Sequence, residues 1–337
     1  MRNAWIGVSV LAILIACGGK KVIENGNLGV PTSGWAVMSP VTSPTPTNGH
    51  AMAFDSSRGV TILSAQCTAS RSCEEPINDT WEWTGVNWVK MLPAASPPVR
   101  GWHAMAFDSS RRVTVLFGGL GNSGALGDTW EWDGLNWIQA SPTVSPQARM
   151  GHAMTFDSRR GVTVVYGGQD ESGTIRLGDT WEWDGVNWSL KAPTTSPPAR
   201  EAGAMVFDAA RGVSVLFGGA GDTTFYNDTW EWDGMNWNQT TSATSPPARS
   251  GHAMAYDSSR KVTVLFGGDL GEVIRTAFAD TWEHDGLQWI QRISTVNPGA
   301  RYETAIAYDS LRGASVLFSG AGAPEYTDTW EWYGSPK

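Results

Sequence analysis

The chain has 337 residues, with 24 Lys and Arg against 33 Asp and Glu and a formal net charge of -9. An acidic chain with no run of Lys and Arg lacks the basic surface that phosphate neutralisation demands, so general binding of DNA or RNA is excluded. Gly (39), Pro (18) and Trp (19) are abundant, and beyond the N-terminus no apolar segment is long enough to span a bilayer as a helix, which leaves a body of many short strands punctuated by turns.

Residues 1–16, "MRNAWIGVSVLAILIA", carry one positive charge and then an apolar run too short to span, the layout of a secretory signal. The run ends in Leu14-Ile15-Ala16-Cys17, which resembles the lipobox of bacterial lipoproteins. That resemblance implies cleavage before Cys17 and lipidation of its sulfur. Gly18 stands where an Asp is associated with retention at the inner membrane, so the expected place is the bacterial cell envelope, lipid-anchored at the outer membrane or cell surface. Residues 17–33 are then the lipidated Cys and a polar, Gly-containing tether, and the membrane is met through the lipid anchor only.

The body, 34–337, opens with an isolated strand-like segment, "GWAVMSP", whose Trp35 precedes Ser43-Pro44 by the offset that separates Trp88 from Ser96-Pro97. Six units follow. Each contains the phrase "DTWEWDG" or a close variant, beginning at Asp79, Asp128, Asp179, Asp228, Asp280 and Asp328, a period of about 50 residues that belongs to propeller blades and similar arrays. In the unit 103–139, "HAMAFD" alternates as a strand, "SSRR" turns the chain, "VTVLFGG" is a β-branched strand closed by glycines, and "DTWEWDGLNWIQ" is a hairpin turned at Asp-Gly. This predicts four antiparallel strands per unit. The last unit stops at "DTWEWYGSPK", one strand short, so the segment around Trp35 is expected to complete it and close the ring.

The double glycines (Gly118-Gly119, Gly167-Gly168, Gly218-Gly219, Gly267-Gly268) and the spaced aromatics after them, such as Trp132 and Trp137, resemble the kelch-repeat β-propellers over about residues 34–334. The resemblance implies an all-β, six-bladed propeller of kelch type. In kelch proteins that bind acidic peptides, the face formed by the loops after the second and fourth strands carries arginines that do the work. The matching arginines here are Arg100, Arg149, Arg200, Arg249 and Arg301, with Thr47 at that position in the first unit. Two alternatives for them stand: pairing with the third-strand glutamates (Glu82, Glu131, Glu182, Glu231, Glu283, Glu331), or capping nearby carbonyls.

Repetition reports scaffold, so function is sought in the departures from it. On the same face these are the Cys67–Cys73 loop, where Ala65-Gln66 replaces the double glycine, the stretches 169–178 and 269–279, Trp102, Tyr302, Glu303 and Tyr326. In an oxidising compartment Cys67 and Cys73 are expected to form a disulfide. His50, His103, His152 and His252 repeat in one register; one imidazole per blade is too dispersed for a single ion, so they are read as structural, and no metal or cofactor is expected. No Gly-x-Ser-x-Gly, His-Glu-x-x-His or phosphate loop occurs, and no catalytic residue is assigned. The expectation is a monomeric binding scaffold for a protein or glycan partner, an acidic one if the arginines are open to it. The alternative is an extracellular hydrolase or lyase acting on sugar or peptide at the same loop face.

Overall fold

A computed structural model describes residues 33–45, 47, 49–67, 77–271, 276–322 and 325–335. The leader, Cys17 and Cys73 fall outside these residues, and with them the lipid anchor and the disulfide.

The body is all-β. Six antiparallel four-stranded sheets follow one another along the chain, each a simple meander such as Ala104–Asp108, Val113–Phe117, Thr129–Trp132 and Trp137–Gln139. The first strand of each sheet lies against the first strands of both neighbours, and Ala305–Asp309 returns to Ala51–Asp55, so the six blades form a closed ring. Second strands such as Val115, Leu116 and Phe117 are fully buried, because each is sandwiched by sheets on both faces. The last blade takes its outer strand from the other end of the chain: Gly34–Val37 pairs with Thr329–Tyr333 in the register Trp35↔Trp332.

The recurrent phrase is decoded by hydrogen bonds between blades. Its Thr accepts from the outer-strand Trp of the next blade, in all six cases: Trp88 to Thr329, Trp137 to Thr80, Trp188 to Thr129, Trp237 to Thr180, Trp289 to Thr229 and Trp35 to Thr281, at 2.8 to 3.0 Å. Trp35 thus locks the ring with the same bond as its five repeats. The Glu of the phrase binds the Arg of its own blade's first turn, as in Arg111 to Glu131 at 2.6 Å, and also accepts from the next blade's Trp183 at 3.1 Å. The closing Asp-Gly makes the hairpin turn, where Gly134 has φ 100° and Asp133 accepts from the Leu135 amide. Eight of the largest fully buried side chains are tryptophans. Each indole hides roughly 150 to 250 Å², on the order of 4 to 6 kcal/mol against an extended chain. A blade alone has no partner surface for them, which is why the blades fold as a ring.

A loop-face pocket on the propeller axis

The meander sends the loops after the second and fourth strands to one face and the tight turns to the other. At the loop face, two residues after the repeated arginine, each blade places one residue on the axis: Gly49, Trp102, Gly151, Ala202, Gly251 and Glu303. All six have positive φ, from 51° to 66°. Their backbones form a closed circle of hydrogen bonds in which each N–H donates to the carbonyl of the preceding blade: Trp102 to Gly49 (2.7 Å), Gly151 to Trp102 (2.9 Å), Ala202 to Gly151 (2.7 Å), Gly251 to Ala202 (2.9 Å), Glu303 to Gly251 (2.7 Å) and Gly49 to Glu303 (3.4 Å).

Glycine suits this conformation, and three blades use it. The other three carry Trp102, Ala202 and Glu303, although a left-handed backbone costs a side-chain-bearing residue about 1 to 2 kcal/mol. The large groups lean over the glycines of the neighbouring blade. A Cβ on Gly49 would lie 3.1 Å from the Trp102 indole, one on Gly151 3.7 Å from the Glu201 carboxylate, and one on Gly251 3.7 Å from Cγ of Glu303. The alternation of Gly with Trp102 and Glu303, together with Glu201 beside Ala202, therefore sets an indole and two carboxylates around the mouth of the axis.

The circle opens into a cavity of about 720 Å³ whose walls include Trp102, Tyr302, Glu303, Glu201, Arg176, Asp222, Phe225 and Asp269, and which His50, His103, His152 and His252 also line. Arg176, on the loop after Gly168, donates through Nη2 to Glu201 at 2.7 Å and lies 3.9 Å from Asp222. The four histidines are 5 to 6% exposed. Burial drives them neutral: His152, next to Arg149, is pushed down to about 3, His252, next to Arg249, to about 3, and His50 to about 4, while His103 is held well below its usual range. His50 Nε2 lies 3.0 Å from the Phe318 carbonyl of the last blade, and the rings of His152 and His252 stand edge-on to Phe117 and Phe217. These imidazoles join blade to blade. Among the described residues no three His, Cys, Asp or Glu side chains gather closely enough to hold a metal ion.

The structure sorts the residues chosen from the sequence. Trp102, Tyr302 and Glu303 come together at the cavity. The arginines do not. Arg100, Arg149, Arg200, Arg249 and Arg301 are 0 to 2% exposed, and each grips the first residue of the repeated phrase with both nitrogens, as Arg100 does Asp128 at 2.6 and 2.8 Å. Their third bonds go to backbone carbonyls, Gly118 O for Arg100 and Ser319 O for Arg301. The carbonyl-capping alternative therefore holds, while the acid they pair with is Asp rather than the third-strand Glu. Burial alone would raise Asp128, Asp179, Asp280 and Asp328, but the arginine hydrogen bonds and charge outweigh it and hold these carboxyls below their ordinary range. Tyr326 is also absent from the cavity wall. Its ring lies 3.8 Å from the Arg301 guanidinium, as Tyr226 and Phe278 cover Arg200 and Arg249 at 4.1 Å, so it is a repeated stacking position.

Sequence reasoning missed Glu201, Asp222 and Phe225, while Arg176 and Asp269 lie within the stretches 169–178 and 269–279 that it marked without singling them out. Glu201 was within reach of it: the position right after the repeated arginine reads Gly101, Met150, Glu201, Ser250 and Tyr302, the variation that marks a ligand-facing register.

A family model described as the KLHDC2/KLHL20/DRC7 Kelch-repeats domain matches residues 77–268 and 135–320. The chain belongs to the kelch-repeat family. Among solved structures, this kelch chain is similar to YjhT, with a TM-score of 0.66 and 14% identity over 86% of this chain and 95% of that one. At that identity the likeness speaks for the propeller fold. No individually curated protein matches the chain.

Proposed function

We propose that this propeller is an envelope-anchored binding protein that takes its protein or glycan partner into the loop-face cavity. The observation that carries the reading is the break in the axial circle, where Trp102 and Glu303 replace the glycine that three other blades use. Backbone strain of this kind persists where the surroundings enforce it and clusters at functional sites, and here both side chains reach the cavity. The kelch fold supports the reading, since propellers present ligands with loops on a rigid frame. Anchoring through Cys17 rests on the lipobox resemblance and is tested by moving Cys17→Ser from the membrane to the soluble fraction.

The pocket is tested with Trp102→Gly and Glu303→Gly, each of which restores the residue that the other blades carry. Envelope extract is passed over the immobilised wild type and both variants. Loss of the same retained species from both, with unfolding midpoints unchanged or raised, is expected; equal retention by all three proteins overturns the pocket. A second reading, hydrolysis or elimination on sugar or peptide, draws on Glu201, Asp269 and Glu303 lining one cavity, since such chemistry uses paired carboxyl groups. Turnover of glycan or peptide by wild type that Glu303→Gln abolishes would favour it.

A further inference from the structure

The turn face, opposite the cavity, carries a pattern that the ring itself does not need. Each complete hairpin of the repeated phrase turns on two residues, a glycine with φ between 90° and 100° (Gly85, Gly134, Gly185, Gly234 and Gly286) and then Val86, Leu135, Val186, Met235 or Leu287. Asn, Asp and Ser are the residues favoured after the glycine of such a turn. All five hairpins instead place an apolar side chain there, 68 to 82% exposed. One exposed Leu means little, but five apolar side chains at one position around a rim, none of them packed into the fold, mark a contact surface. The neighbouring carboxylates are engaged within the turns, as Asp133 accepts from the amides of Leu135 and Asn136 at 2.7 and 2.8 Å.

Two blades add a cation to this face against the preference of the backbone. The residue that closes the first turn is Gly59, Gly161, Gly212 or Gly313 in four blades, with φ of 69° to 74°, and Arg112 or Lys261 in the other two, at 61° and 58°. A left-handed backbone disfavours any residue with a Cβ, and both side chains are exposed, so packing does not account for them.

The same face receives the chain that leads from Cys17. Each outer-strand Trp follows its tip by two residues, and the same count back from Trp35 reaches Ser33. Gly34 pairs with Tyr333, at the turn end of the last blade's third strand. The chain from Cys17 therefore enters the body where a sixth tip would stand.

We propose, building on the envelope anchoring above, that the turn face docks on a zwitterionic phospholipid bilayer, with the five tips entering the headgroup layer and Arg112 and Lys261 meeting lipid phosphates. Tips repeated by rotation around a ring suit a flat surface, which meets all of them, whereas a small partner would meet one or two. Five short side chains bind a bilayer weakly, but an anchor joined to the same face raises their effective concentration at the lipid. Asp133, Asp184, Asp233 and Asp285 keep the face from being positive overall, so it fits a zwitterionic surface better than a strongly anionic one. The membrane is then met by side chains as well as by the lipid, and the loop-face cavity is turned away from it toward its partner.

The test supplies its own anchor, so that it stands apart from lipidation of Cys17. The chain from residue 17, with Cys17→Ser and a decahistidine in place of the leader, is held on phosphatidylcholine vesicles that contain a nickel-chelating lipid and a phosphatidylcholine with a photoreactive diazirine near its headgroup. Mass spectrometry then maps the label. First-turn peptides around Ser109 and Ser258 are expected to take up at least about fivefold more label than loop-face peptides around Leu120, and the combined variant Val86→Ser, Leu135→Ser, Val186→Ser, Met235→Ser, Leu287→Ser is expected to lose that excess although those peptides are unaltered. Arg112→Gly with Lys261→Gly, the residue of the other four blades, is expected to lower labelling of the tips by about half. Equal labelling of the two faces overturns the proposal, as does an excess that the serine variant keeps with an unchanged unfolding midpoint. A dimer in sedimentation equilibrium that the serine substitutions convert to monomer would assign the tips to a second copy and overturn it too. Docking on the nickel vesicles beside a natural chain found in the soluble fraction would remove the anchor at Cys17 and support the docking face on its own.

Discussion

The guanidinium of Arg249 offers nothing to a ligand: Nη1 and Nη2 take both oxygens of Asp280 at 2.7 and 2.8 Å, Nε donates to Pro247 O at 3.0 Å, and Phe278 covers its face. Removing it leaves the Asp280 carboxylate, whose side chain is 17% exposed, without its counter-charge. Arg249→Ala is therefore expected to lower the unfolding free energy by about 3 to 5 kcal/mol, as for other interior ion pairs that lose one partner. Arg176→Ala gives the contrast, because that guanidinium is 22% exposed and its acids reach solvent; its loss is expected to cost about 1 kcal/mol or less. Denaturant unfolding of both variants checks the pair, and equal small losses would mean that the repeated arginines are dispensable to the scaffold. The sequence could not choose between the two acids that repeat with the same period as the arginine. Asp128, just before the strand Thr129–Trp132, and Glu131 within it are three residues apart, and only the path of the loop decides that Arg100 meets the first while Arg111 meets the second.

At the scale of the element, the strand Gly34–Val37 is small but closes the structure. Trp35 packs on Phe266 at 5.0 Å and Trp332 at 5.4 Å between ring centroids, and its indole donates to Thr281. It ties the last blade to the fifth as well as completing the sheet. Trp35→Ala is expected to cost about 3 to 5 kcal/mol, the range for a large aromatic removed from a core, and deletion of residues 34–40 more, since it also bares the strand edge of Thr329–Tyr333. The thermal unfolding midpoint measures both, and a deletion variant that melts with the intact chain would require another closure. This element was legible in the sequence because its offset to Ser43-Pro44 copies an internal repeat, and Thr42 in fact accepts the same role as later connectors, bonding Asn87 as Thr143 bonds Asn187. The pocket was legible only in part. Trp102 and Glu303 stand out because a register of Gly and Ala surrounds them, whereas Arg176 and Glu201 meet across 25 positions and two blades, a distance that no periodicity reports.

At the scale of the whole molecule, the buried histidines make the stability of the ring depend on pH: four precede the first strands where the blades meet, and His284 ends a third strand against Trp289. Burial, then Arg149, pushes His152 down to about 3; burial, then Arg249, pushes His252 to about 3; burial takes His50 to about 4 and, with Arg211, His284 to about 4. In the unfolded chain each titrates near 6.5. Because the native values are depressed, the unfolded chain binds more protons below pH 6.5, and stability that is complete above that pH is lost as it falls toward 4. Each histidine contributes a slope of about 1.4 kcal/mol per pH unit in that window. Asp128, Asp179, Asp280 and Asp328, held below the usual carboxylate range by their arginines, act with the same sign but only below about pH 4. The interval from pH 6.5 to 4.5 thus belongs to the imidazoles. His252→Thr, which installs the residue that the last blade carries as Thr304, is expected to reduce the slope of unfolding free energy in that interval by about 1.4 kcal/mol per pH unit, whatever it does to stability at pH 8. Urea unfolding at half-unit steps measures the slope, and an unchanged slope would mean that His252 takes up its proton in the folded ring.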